Sequence, residues 1–191
     1  MKAIKIVLAL LLIVANVFMG FKLVETIKEP IDFERISGER IADAVSNLED
    51  IRATQMAYRT MNGTYTASWD TLLSFARDSS IVYEKIIGDP NDSTVVVTRE
   101  TITVAVKDSL FKGDMGRINS LNKVPHTSDR IFDLAATTIV KNEVEIPAFE
   151  AAVPYRVLFN GLEGKYFKDK WYDLLKVGDI NLGTTTGNWK K

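Results

Sequence analysis

Residues 6–21 read IVLALLLIVANVFMGF, a run without charge between Lys5 and Lys22. As a helix rising about 1.5 Å per residue it spans roughly 24 Å, slightly less than a hydrocarbon core of about 30 Å. Lys22 can snorkel to the interface and let Leu23 and Val24 lengthen the span. Three readings suit such a run: a retained membrane anchor, a cleaved signal peptide, or a buried core helix. Signal cleavage wants small residues before the cut, which Phe18-Met19-Gly20 and Ile13-Val14-Ala15 supply poorly. A retained anchor, engaging the membrane through residues 4–24, is the favoured expectation. Lys2 and Lys5 precede the run, whereas Lys22 and Lys28 are outnumbered after it by Glu25, Glu29, Asp32 and Glu34. The positive-inside bias then predicts a single-pass protein of a bacterial inner membrane with its C-terminal body in the periplasm.

Composition narrows the function classes. The 191 residues carry a net charge of -1, without the basic excess that nucleic-acid binding requires. The absence of cysteine excludes disulfides, a thiolate nucleophile, a zinc-thiolate site and lipobox lipidation. Stability must come from an apolar core, for which the roughly 155 residues after the N-terminal part suffice.

Pro30 disfavours helical geometry at Glu29, so the anchor is expected to end or kink there, with KEPIDFE as a short tether. The predicted organisation is an anchor over residues 1–27, a tether over 28–35 and one exported α+β domain over 36–191. Ile41, Val45, Leu48, Ile51, Met56 and Tyr58 recur at helical spacing among charged residues, which predicts an amphipathic helix ended by Asn62-Gly63. Ser68 is placed to cap a shorter second helix carrying Leu72, Leu73 and Phe75. After Ser79 the spacing changes to two. IVYEKII, TVVVT and ITVAV read as strands, the last two joined through Arg99-Glu100 as a hairpin or as one bent strand. Residues 107–130 read as a long loop with a helical turn near Ile118. IFDLAATTIV and VEIPAFEA flank Lys141-Asn142-Glu143 as a hairpin whose second strand Pro147 marks as an edge. YRVLFNGL is one more strand candidate. Helices followed by strands imply an α+β fold, with an N-terminal transmembrane helix and amphipathic helices packed on a mainly antiparallel sheet.

No constellation points to catalysis. His126, the single histidine, lies in VPHTSD beside Ser128 and Asp129, but a working triad is assembled across a fold rather than from neighbours in sequence. One histidine and no cysteine leave a transition-metal site to carboxylates alone. GDPNDS lacks the glycine and terminal glutamate of a calcium loop and reads as a turn. Asp108, Glu145 and Glu150 would serve as an acid/base pair only across a cleft. GLEG and GDMG lack the context of a phosphate-binding loop. No catalytic, cofactor or metal residue is therefore predicted.

Two features have binding character: the amphipathic helix from Ile41 to Met61, whose apolar stripe either pairs with a partner helix or covers the sheet of its own domain, and a patch in the tail. Tyr166, Phe167, Trp171 and Tyr172 interleave with Lys165, Lys168, Lys170 and Lys176, and Trp189 follows near the end. Tyr166, Phe167, Lys168, Lys170, Trp171, Tyr172 and Trp189 form the candidate partner surface, for stacking or for a membrane face. The competing reading turns the aromatics inward and the lysines outward.

LEDIRATQMAYRTMNGTYTASWDTLLSF, TVAVKDSLF, VEIPAFEA and the final GNW together resemble a family of short, single-span envelope proteins of Bacteroidota. The resemblance implies an N-terminal anchor and an envelope setting, with no activity or site residues. The helix followed by NGTY is also loosely similar to pseudopilins, and GFKLVE at 20–25 has the look of a prepilin processing site. In a prepilin, however, that glycine precedes the hydrophobic helix, whereas here the apolar run comes before Gly20 and the residues after it are too charged to span a bilayer. The expected function is a non-enzymatic bitopic scaffold or assembly subunit, partnered by envelope proteins or by further copies of itself. The alternative is an exported domain, released by signal cleavage, that recognises a peptide or glycan.

Overall fold

In the computed structural model, residues 2–87, 98–162 and 164–189 are described. The fold is α+β: one long helix, a four-stranded antiparallel sheet and a separate two-stranded sheet.

Helix α1 runs from Lys2 to Asn62 without interruption. Its N-terminal part is the single candidate membrane span among the described residues, with a mean hydropathy of 2.4 and no burial against the rest of the chain. Its C-terminal part is the spine of the body. Ala44, Leu48 and Ile51 are fully buried on one face, at the spacing of three and four that stacks side chains on a helix. Gly63 closes the helix as expected, its positive φ of 78° letting its N–H reach the Arg59 carbonyl at 2.8 Å.

The expected break at Pro30 does not occur, and residues 28–35 are helix rather than an extended tether. Proline removes the bond that its N–H would give the Thr26 carbonyl, at a cost of about 3 kcal/mol. Packing just beyond it offsets that cost. Phe33 lies within 6.0 Å, centroid to centroid, of the rings of Phe159, Tyr166 and Phe167. Arg40 donates to the Leu158 and Asn160 carbonyls at 2.8 and 2.9 Å.

Helix α2 (Trp69–Asp78) starts at Ser68, whose hydroxyl accepts from the Thr71 N–H, and buries Leu72 and Phe75. The return from α1 is pinned by Gln55, fully buried, whose amide donates to the Thr66 carbonyl at 2.6 Å and accepts from the Thr66 N–H at 3.1 Å. Strands β1 (Ser80–Ile87) and β2 (Thr98–Ala105) form an antiparallel hairpin. Arg99 and Glu100 lie inside β2, so the residues around them form one strand; most of TVVVT, and all of GDPNDS, lie outside the described residues. Within the expected loop stand two short helices, α3 (Val106–Phe111) and α4 (Met115–Asn119), and the turn near Ile118 is the second of these.

The main sheet has the order β3-β4-β5-β6. Strands β3 (Asp133–Lys141) and β4 (Val144–Pro154) make the expected hairpin, turning through Asn142 and Glu143 at φ of 51° and 66°. β4 is an interior strand, which corrects the edge expectation. Its Pro147 still has a strand neighbour on one side only, because β5 (Leu174–Asp179) pairs with β4 from Glu150 onward. YRVLFNGL is a helical turn, α5 (Tyr155–Leu158), rather than a strand, because the chain reverses after Pro154 and buries Leu158 and Phe159. The short β6 (Thr184–Gly187) closes the sheet. Gly178, at φ 75°, faces the Phe149 carbonyl so closely that a Cβ there would collide with it.

Candidate functional site

The seven predicted patch residues do not share one surface. Phe167 is buried, its ring stacked on Trp171 at 5.2 Å on one side and parallel to Phe33 at 6.0 Å on the other. Tyr166 is half-buried against Phe33 at 5.2 Å, and its hydroxyl donates to Glu29 at 3.1 Å. Trp189 packs on the main core and covers Gly187, where a Cβ would strike the indole. Lys168, Lys170 and Tyr172 point to solvent, Tyr172 with 81 % of its surface exposed. Lys170 reaches back over the Tyr155 ring at 5.9 Å. Burial, aided by the negative charge of Asp173, raises the Tyr155 hydroxyl above its usual range.

These contacts build an aromatic clasp. Two short 3₁₀ turns, Gly164–Tyr166 and Lys168–Lys170, fold the tail across α1 one to three turns beyond the apolar span. Phe33, Phe159 and Phe167 interlock at centroid distances of 5.2 to 6.0 Å, two of the three pairs edge to face. A shallow groove of about 230 Å³ lies beside them, lined by Glu29, Asp32, Ile36 and Leu162 among others. These rings pack the face of the body nearest the span against α1. Glu29 and Asp32 of α1, with exposed Lys168 and Lys170 of the tail, put both charge signs around the clasp.

A second, larger depression of about 600 Å³ is open to solvent and lined by Ser128, Asp129, Arg130, Arg156, Asn160 and Trp171 among others. His126 faces a different depression, with its Nε2 2.7 Å from Asp43 Oδ2 of α1. The neighbours of VPHTSD thus diverge instead of forming a triad. The contact ties a loop residue at positive φ to the spine.

Glu150 lies in an ion-pair cluster on the sheet. Lys176 Nζ donates to Glu150 Oε2 at 2.7 Å and to Asp179 Oδ2 at 2.9 Å. The bond from Lys176, together with N–H bonds from Leu182 and Asn181, lowers the Asp179 carboxyl to about 2. Burial by itself would lower Lys176; its bonds to Glu150 and Asp179 outweigh this, and the ammonium is raised. The geometry of Lys176 staples β4, β5 and the β5–β6 turn. Among the described residues no three His, Asp or Glu side chains gather closely enough to hold a metal ion.

No protein-family model, curated protein or solved structure matches this chain.

The clasp is what the sequence pattern missed. The tail aromatics stand out in the sequence, but their partner, Phe33, lies in a segment whose Pro30 predicts a tether. The lone aromatic at helical spacing after Pro30 was the available signal.

Proposed function

We propose that this chain is a bitopic envelope protein, without enzymatic activity, whose exported body acts as a scaffold or assembly subunit through contacts with other envelope proteins. One observation carries the reading: the apolar span and the spine of the body are a single unbroken helix, clasped by Phe33, Phe159, Tyr166 and Phe167 where it enters the body. A body on a flexible tether samples many positions and loses that freedom on assembly. A body fixed to its span meets partners at a set height and angle, which reduces the ordering cost of association. Cross-linking in intact cells, followed by detergent extraction and identification of attached chains, tests the proposal. The expected result is recurrent envelope proteins joined through the body; a chain recovered only as monomer, with no attached protein, overturns it.

The depression around Trp171 favours one other reading, an exported domain that binds a peptide or glycan. An aromatic platform beside Arg130, Arg156 and Asn160 offers stacking and hydrogen bonds to a polar ligand. That reading predicts a mature chain lacking roughly its first 15 to 20 residues, which intact-mass measurement detects.

A further inference from the structure

Within the apolar span, Asn16 is the polar exception. One N–H of its side chain donates to the Leu12 carbonyl at 2.8 Å, an oxygen one turn back on the same helix. The structure gives the amide oxygen and the second N–H no partner among the described residues. In water this would be unimportant. In hydrocarbon no solvent completes the set, and the oxygen and second N–H left over find a partner on another helix or stay unpaired.

The span is apolar all round, so periodicity alone selects no contact face. Asn16 selects one. Counting in alternating steps of three and four, Ile13, Asn16, Gly20, Leu23 and Ile27 fall on a single seam with the spacing of a left-handed helix pair. Ile13, Leu23 and Ile27 are exposed along it, and Gly20 has open space where a Cβ would stand. Gly20 therefore allows close backbone approach one turn from the amide. An amide presents both a donor and an acceptor, so its simplest complement is another asparagine related by a two-fold axis, each N–H meeting the other oxygen. We propose that a second copy of this chain docks along this seam, with the two Asn16 side chains hydrogen-bonded across the interface. The proposal rests on the bitopic reading above and adds its partner within the membrane.

Because the chain contains no cysteine, single cysteines report contacts without background. The full-length chain, purified and reconstituted alone in phosphatidylcholine vesicles, is oxidised with Ile13→Cys or Leu23→Cys on the seam, and with Leu11→Cys or Phe18→Cys on the opposite face. Disulfide dimers are expected at positions 13 and 23 and not at 11 and 18. Adding Asn16→Leu is expected to reduce the dimer about tenfold at fixed protein-to-lipid ratio, and Asn16→Gln to retain most of it. These positions make no contact with the body, so its near-ultraviolet circular dichroism should be unchanged. Equal cross-linking on both faces, or dimers indifferent to Asn16→Leu, overturns the seam. Carbonate extraction separates the two levels: a chain that stays in the vesicles but remains monomeric overturns the docking alone, and one that is released overturns the bitopic reading with it.

Discussion

The two halves of α1 are one helix with two surface patterns. Residues 6–21 carry no charge, and their described side chains are exposed all round the helix, whereas from Phe33 onward the helix buries one face and exposes the other. The backbone is the same; the side-chain pattern differs. An all-round apolar surface suits a lipid or a protein interior, while a one-sided stripe needs only a sheet to lie on. The clasp stands at the border, where the first kind of surface gives way to the second.

The sharpest way to break the comparison is to charge the first half. Leu11→Lys with Val14→Lys should cost about 5 to 7 kcal/mol of insertion and release the chain into the carbonate-soluble fraction, with the thermal unfolding of the body unchanged. The opposite dissociation follows from the second half. Leu48→Ala removes a fully buried side chain and should destabilise the body by about 2 to 5 kcal/mol in urea titration in detergent micelles, with membrane retention intact. A border residue should show an intermediate result. Phe33→Ala is expected to cost about 2 to 3 kcal/mol, less than a fully buried phenylalanine, and to raise amide hydrogen exchange over residues 28–36, because Pro30 then lacks the packing that offsets it. Unchanged exchange there would mean that the helix crosses Pro30 without help from the clasp.

The smallest effect lies farthest from the border. Asp179, held at about 2 by Lys176 and two N–H groups, adds stability that is complete above its ordinary value of 3.8 and is lost as pH falls through 2. Asp179→Asn should cost about 1 to 2 kcal/mol at neutral pH and flatten the dependence between those values, followed by circular dichroism during acid titration.

Local signals were legible where a residue acts on its own neighbourhood. Ser68 capped α2, Gly63 ended α1, and Asn142-Glu143 turned the β3–β4 hairpin, each through bonds or dihedrals within a few residues. Distant partners were not legible. The proline at 30 carries a real local penalty, and it is overruled by Phe159 and Phe167, which lie far along the chain. Strand β5 did leave a trace, since Leu175 and Val177 are buried and alternate with Leu174 and Lys176, but the aromatics before it dominated the reading. The candidate surface suffered the same fate: the aromatic residues were identified, and which of them faced inward depended on where α1 lay.

An uninterrupted α1 also acts as a lever. From Val24 to Asn62 it extends roughly 57 Å, so a change of about 10° in the inclination of its apolar end would swing the far end sideways by roughly 10 Å. If the bitopic proposal holds, bilayer thickness would then set where the β-sheet stands relative to its neighbours.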